Sequence, residues 1–381
     1  MTLGKLGYFV RSLRRRGPAA LRRRLEVRRS KARLAALPQT AAGQIVVGIS
    51  VGGVLGDSII VARFLRDLAQ FCDAFVFDVY SGNVAQSRWI FENVAAIRDH
   101  FQDSIFDSQT SNYDFTLFFS DTVCIKSINP DRRAALPEKV VAMLERIAEF
   151  GRPGLPRVLA EGLLSQEMAF KHNQTRPTAS HFMAGIAYGG PVYDIAVEPD
   201  IFLQGAGLAG AGKKYITVHN GFAVSQVTVS KTSTKSYLQF GEAIASFRAT
   251  RPDILFVQIG SITSVSIAGV DLNLIGKTNL KQAAGLIKGA VAHLDNEGGF
   301  VHLASCFGVP ACVVYGPTSP EYYAYEGHVA IRPLQCGGCW WLDEDFASRC
   351  PRGMADPVCI RSQPPAAVAA GLVELLGLHG L

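Results

Sequence analysis

Residues 295–323 read DNEGGFVHLASCFGVPACVVYGPTSPEYY. The segment opens with two acids, Asp295 and Glu297, then Gly298 and Gly299, with His302 within one helical turn. LASCF predicts a short buried helix that Gly308 stops, and Pro310 starts the next segment. ACVVYG is apolar and β-branched and predicts a buried strand; GPTSPE closes as a loop. The plan is loop, glycine turn, helix, strand, loop. A Gly-Gly pair at a helix start presents backbone N–H groups where the helix dipole is positive, which suits a phosphate or pyrophosphate. A plain turn of a doubly wound sheet fits the same residues.

Just before this stretch runs LIGKTNLKQAAGLIKGA, residues 274–290. Together the two segments resemble the C-terminal half of glycosyltransferase family 9, the heptosyltransferases. Gly276, Thr278 and Leu280, then Glu297, Gly298, His302, Gly308, Pro310, Gly316, Pro317 and Thr318, fill that family's pattern. The family usually has Asp five residues before the His; here that position is Glu297, so the resemblance leaves open whether Asp295 or Glu297 contacts the donor. The resemblance is specific over 213–360 and looser over 44–205. It implies two Rossmann-like α/β domains facing a cleft, the GT-B arrangement.

At the other end, QIVVGISVGGVLGD (44–57) followed by SIIVARFLRDLAQF reads as strand, glycine loop and amphipathic helix, the opening of a Rossmann-like domain. The resemblance puts the family's proposed catalytic base at Asp57, in the Gly56-Asp57 pair. By itself Asp57 reads as a helix N-cap. Gly48-Ile49-Ser50-Val51-Gly52 also fits the G-x-S-x-G nucleophile elbow, but Gly53 to Gly56 delay the helix, so the sharp turn is missing. Onward, AFVFDVYS and YDFTLFFSD predict strands. RWIFENVAAI, PEKVVAMLERIAEFG and RVLAEGLLSQEMAFKH predict helices, and the alternation predicts a mainly parallel sheet.

GAGLAGAGKK satisfies G-x-G-x-x-G and nearly a P-loop, but a strand, YITVHNG, follows where the phosphate mechanism needs a helix. It reads as an interdomain linker. The expected division is a basic arm (1–40), an acceptor domain (41–204), the linker (205–213), a donor domain (214–362) with a cysteine lobe (333–360), and a C-terminal helix (363–381). That helix is amphipathic enough to pack back across the domains.

The chain has 381 residues and a formal net charge of +6. Met1 to Arg33 alone carry +11, so the basicity belongs to the arm and the remainder is −5. Leu3, Leu6, Val10 and Leu13 fall on one helical face there. Such an arm suits an anionic membrane surface or a solvated tail. Aromatic interleaving is sparse, so no nucleic acid is expected. There is no apolar run long enough to cross a bilayer and no secretory signal, which predicts a cytoplasmic protein, peripheral on the inner membrane if the arm binds lipid.

Cys336-x2-Cys339 is followed by Cys350 and Cys359 in a Gly- and Pro-rich segment. Four soft ligands at this spacing suit tetrahedral zinc or iron, with two disulfides or free thiols as the alternatives, in a compartment taken as reducing. The role is expected to be structural, because four protein ligands leave no open position. Similar cysteine sets follow the GPT loop in several relatives of the family. Asp343-Glu344-Asp345 reads as a solvated acidic turn.

The resemblance implies an inverting transferase that moves a heptose-like sugar from a nucleotide diphosphate, ADP-heptose-like, to a glycan, lipid-linked or protein hydroxyl, as in lipopolysaccharide assembly. Asp57 would be the base. Lys235, which matches the Lys of the family's Lys-x-Trp, would meet the diphosphate with the N–H groups of Gly298 and Gly299. Asp295 or Glu297 would hold donor hydroxyls, and His302 would support their loop. No catalytic metal is expected. The alternatives are a metal-stapled, non-enzymatic scaffold with a membrane- or nucleic-acid-binding arm, and a Ser50 hydrolase.

Overall fold

The computed structural model describes residues 21–37, 41–198, 201–205, 213–222, 232–262 and 264–381. The apolar face at Leu3 to Leu13, most of the linker and residues 223–231 of the Ser/Thr loop lie outside the described residues.

The first sheet contains β1 (Ile45–Val51), β2 (Phe75–Ser81), β3 (Ile97–Gln102), β4 (Phe115–Phe119) and β5 (Val123–Ile128), in the order β3-β2-β1-β4-β5. All neighbours are parallel except the antiparallel β4–β5 pair. Every residue of β1 is buried, as a central strand covered on both faces requires. Ser50 lies inside β1, paired with Tyr80 and Phe118, so it sits on no elbow. The helix Leu55–Phe71 seats Ile59, Val61, Phe64, Leu65 and Leu68 in the core, each worth about 1.5–3 kcal/mol of burial.

Two edge strands depart from the sequence expectation. IRDHFQ forms β3, where Arg98, Asp99 and His100 break the apolar signal, and VCIKSI forms β5. RWIFENVAAI is helical only to Ile90. The exposed edge beside β3 is covered by a helix over residues 21–35, the second half of the basic segment. Ser30 Oγ accepts from the Gln102 N–H at 3.0 Å, and Arg33 reaches Glu26, Asp99 and the His100 carbonyl. Val27, Leu34 and Leu37 pack on the cluster of Tyr80, Phe101 and Phe106. This part of the arm is therefore a wall of the first domain, with Arg22, Arg28, Arg29 and Lys31 outward.

The second sheet contains β6 (Tyr215–His219), β7 (Leu255–Gln258), β8 (Leu272–Asn273), β9 (Ala292–Asn296), β10 (Ala311–Val314) and β11 (Val329–Ile331). Its order is β11-β10-β9-β6-β7-β8, wholly parallel. The helix Gly299–Cys306 and β10 lie where residues 295–323 predict them. The C-terminal helix Pro365–Leu378 does not bridge the domains as expected. It packs on the helix Phe240–Arg248 and on β10 and β11, inside the second domain's own core.

Strand order reverses between β1 and β4 in the first sheet and between β6 and β9 in the second. In open α/β sheets such switch points leave a crevice beyond the carboxyl ends of the strands. Here those ends carry Gly52–Gly56 and Asp121 on one side, and His219 and Glu297–Gly299 on the other.

Candidate functional site

The two switch points face each other across one cleft of about 860 Å³. From the first domain it is lined by Gly52 to Asp57, Asp121 and Arg176. From the second it is lined by His219, Lys235, Glu297 to Phe300 and His302. The domains meet closely. A Cβ on Gly56 would stand 2.5 Å from the His302 ring, and one on Gly299 3.2 Å from Leu55 Cβ. Glycine at 56 is what lets the first glycine loop lie against the second domain's helix.

Asp57 is not the N-cap residue. It is the third residue of its helix, and its Oδ2 reaches back to the Val54 N–H at 2.9 Å. Its Oδ1 accepts from Arg176 Nη2 at 2.9 Å. Arg176 is buried beneath it and also holds Asp121 Oδ1 at 2.9 Å and the Ser120 carbonyl at 2.8 Å. Burial pushes the Asp121 carboxyl up to about 6, against the pull of Arg176.

Across the cleft, Lys235 Nζ lies 2.8 Å from Glu297 Oε2 and 4.4 Å from the centroid of the Trp340 ring. Gly298 caps the helix that Gly299 begins, so the free N–H groups of that first turn open at the cleft. His302 is buried, and burial with the nearby Arg176, Arg63 and Lys235 charges lowers its pKa far enough to keep it neutral. The Tyr325 hydroxyl accepts from Arg63 at 2.8 Å and donates to His302 Nδ1 at 2.6 Å, which leaves the ring proton on Nε2, the side of Glu297. Arg63 belongs to the first domain and is wholly buried against the second, so these bonds also tie the two halves together.

Asp295 sits elsewhere. It is fully buried inside the sheet, 2.9 Å from His219 Nδ1 and 3.3 Å from His293 Nε2. Burial opposes its charge, and the two histidines outweigh burial and hold its pKa below the ordinary value. Glu297 faces the cleft; Asp295 instead orients His219, whose Nε2 accepts from the Gly221 N–H. His219, Asp121 and Arg176 are cleft residues that the sequence reading did not single out.

The cysteine lobe borders the same cleft through Trp340, Trp341, Phe346 and Ala347. It also touches the first domain, since a Cβ on Gly162 would fall 2.6 Å from the Trp341 carbonyl oxygen. All four lobe cysteines are free thiols and line one cavity of about 40 Å³. Cys336, Gly337 and Gly338 all have positive φ, which curls the backbone tightly between Cys336 and Cys339. Burial, and then the neighbouring cysteines, raise the pKa of Cys339 to about 11 and of Cys359 to about 12, so the thiols sense one another. Among the described residues no three His, Cys, Asp or Glu side chains are arranged to hold a metal ion; the thiols share a cavity without closing a ligand shell. Asp343 and Asp345 pair with Arg349 at the surface.

Residues 262–335 match glycosyltransferase family 9 (heptosyltransferase). Lipooligosaccharide heptosyltransferase 2 of Haemophilus influenzae is 34% identical over 82 residues, 22% of this chain and 24% of that protein. The chain thus covers about a quarter of the length of the curated relatives it matches. The Escherichia coli structure described as ADP-heptose lps heptosyltransferase II aligns over 88% of this chain and all of that one, at 15% identity and a TM-score of 0.52. TibC of enterotoxigenic E. coli, described as an iron-containing dodecameric glycosyltransferase, aligns over 88% and 80%, at 12% identity and a TM-score of 0.55. A second TibC structure is a complex with ADP-D-beta-D-heptose. The family resemblance of residues 295–323 stands, and the two-domain fold is that of these GT-B heptosyltransferases.

Proposed function

We propose that this family 9-like chain is an inverting glycosyltransferase that moves a heptose-like sugar from a nucleotide diphosphate to an acceptor hydroxyl. The observation that carries the reading is a carboxylate on one side of the cleft, Asp57, opposite the Lys235–Glu297 pair and an open helix N-terminus on the other. Asp57 takes the proton of the acceptor hydroxyl as its oxygen attacks the anomeric carbon. The bond to the diphosphate breaks, and its electron pair leaves on the diphosphate oxygen. Lys235 and the N–H groups at Gly298 and Gly299 stabilise that charge. Glu297, freed from Lys235 as the diphosphate claims the ammonium, holds donor hydroxyls, with His302 beside it. The scaffold and hydrolase alternatives leave this arrangement without a purpose.

A thermal-shift series tests the reading. ADP-heptose should raise the melting temperature of the wild type, since ligand binding to the folded state stabilises it. UDP- and GDP-sugars run as comparators, and Lys235→Ala should shift far less, losing roughly tenfold or more in donor affinity. Equal shifts in both proteins remove Lys235 from the donor site; no shift with any nucleotide sugar favours the scaffold.

The four thiols fit a bound zinc or iron in one respect, their shared cavity, and such an ion would supply a cross-link between the lobe's loops. The acceptor is a glycan, lipid-linked or protein hydroxyl, reached at a cytoplasmic membrane face. No helix among the described residues is long and apolar enough to cross a membrane. The outward arginines of the helix over 21–35 suit an anionic lipid surface. Because that helix is docked, the clean test removes residues 1–20 alone. Activity on soluble substrates should persist while salt-sensitive binding to phosphatidylserine or phosphatidylglycerol vesicles falls in part, the outward arginines of the docked helix supplying what remains. Unchanged vesicle binding would sink a lipid role for residues 1–20.

A further inference from the structure

The second domain reaches the first at one more point close to Asp57. Tyr323, in the short helix Pro320–Tyr323 after the GPT loop, donates its hydroxyl to Asp121 Oδ1 at 3.0 Å. Tyr322 donates to the Asp121 carbonyl oxygen at 3.4 Å. Asp121 is almost fully buried, and its second oxygen, Oδ2, has no hydrogen-bond partner. The same Oδ1 holds Arg176 Nε, and Arg176 Nη2 holds Asp57 Oδ1. One guanidinium is thus shared by two carboxylates, and the inner carboxylate is held by a hydroxyl from the opposite domain.

We infer that Tyr323, Asp121 and Arg176 form a linkage by which the donor domain sets the competence of Asp57 as a base. The inference rests on the reading of Asp57 as the base. With Asp121 ionised, the Arg176 charge is already compensated, and Asp57 is free to accept a proton. With Asp121 neutral, the whole guanidinium charge falls on Asp57 and opposes protonation. Tyr323 makes its bond only when the domains stand as they do here, and that bond favours the ionised form of Asp121. Closure over the donor therefore readies the base, and separation relaxes it. All three are positioning residues; none touches the reacting atoms.

The groups facing Asp121 are Arg176, Asp57, Tyr322, Tyr323, Glu161 from the helix Arg157–Phe170, and Glu297 across the cleft. Burial comes first in raising its pKa to about 6, Arg176 and Tyr323 oppose the rise, and Asp57 and Glu297 add to it. Asp121 is therefore ionised above that pH and neutral below, and transfer by the wild type should fall through an inflection near pH 6. Asp121→Asn fixes the neutral state. Its plateau should be roughly tenfold lower, the inflection should vanish, and donor affinity should be unchanged. Tyr323→Phe removes one hydroxyl and little else; its inflection should move to higher pH, with a several-fold loss at neutral pH.

The measurement is kcat/KM from pH 5 to 8.5 for both variants, with donor Kd from the thermal-shift series and Asp57→Asn as reference. An inactive Asp57→Asn beside variants whose profiles keep the wild-type shape, whatever their melting temperatures, overturns the linkage alone. A wild-type-like Asp57→Asn overturns the base reading and the linkage with it. Tyr323→Phe folds without a buried charge to rehouse, so the idea stays testable even if Asp121→Asn is unstable.

Discussion

Asp57→Asn is expected to lower transfer by roughly 10²–10⁴-fold, the range of a positioned general base, while donor affinity stays within a few-fold. The asymmetry follows from where Asp57 sits. Its two oxygens are fixed by the Val54 N–H and by Arg176, both in the first domain. The groups assigned to the donor, Lys235 and Glu297, belong to the second. Asparagine keeps the planar shape and one acceptor oxygen for the Val54 N–H or Arg176. It loses the charge that suits the first turn of a helix, a matter of about 0.3–1 kcal/mol. Arg176 keeps Asp121 and the Ser120 carbonyl, so no buried cation is stranded. The melting temperature should move by only a few degrees. Turnover, donor binding and melting temperature on one preparation separate the outcomes: wild-type turnover removes Asp57 as base, and a fall in donor affinity parallel to turnover moves it to the donor side.

How much of this was legible in the sequence depends on which physical signal each residue carries. β1 and β10 are central strands buried on both faces, so ACVV stands out as an unbroken apolar run and IVVGISV as one broken only by Ser50. The helix after residues 295–298 announces itself through its glycines. β3 did not, because an edge strand tolerates Arg98 and Asp99, which find their partners on other elements: Asp78 on β2 for Arg98, and Arg88 and Arg33 on two helices for Asp99. Within the site, Glu297 and Gly298 were found by local pattern and family resemblance. Glu297 rather than Asp295 lines the cleft because β9 ends at Asn296: Asp295 stays inside the strand, and Glu297 lies just beyond it at the glycine turn, a strand boundary that sequence alone did not fix. Arg176 and Asp121 carried no local motif at all. They become a unit only because the turn after β4 and the helix Arg176–Ala184 converge beneath Asp57, 119 residues from Arg176. A strand ending in Ser120-Asp121 at a switch point was the available signal.

The cysteine lobe is where position changes the expected outcome of a mutation. Cys336→Ser should lower melting temperature and metal content together, by roughly 5–10 °C for the loss of a structural cross-link, with about one zinc or iron per wild-type chain by elemental analysis. From the cysteine pattern alone, activity should fall only as far as folding does. The geometry predicts more. Trp340 lies under the Lys235 ammonium, and Trp341 lines the cleft with its carbonyl set against Gly162 of the opposite domain. Trp341 does so at φ 68, a left-handed conformation that a tryptophan holds only when its surroundings impose it. The Cys336–Cys339 turn is the nearest such constraint, since three of its four residues also have positive φ. Loosening it should let the Trp340–Trp341 wall relax and weaken the hold on Lys235, so turnover falls several-fold even well below the variant's melting temperature, where the protein is fully folded. Trp340→Ala separates the two effects: it should keep the metal and, although losing a buried tryptophan costs about 3–5 kcal/mol, reproduce the loss of turnover well below its own lowered melting temperature. A Cys336→Ser protein that loses metal but matches the wild type in both stability and turnover shows that the lobe is no staple. One that loses stability while its folded fraction turns over at the wild-type rate confines the lobe to a purely structural role.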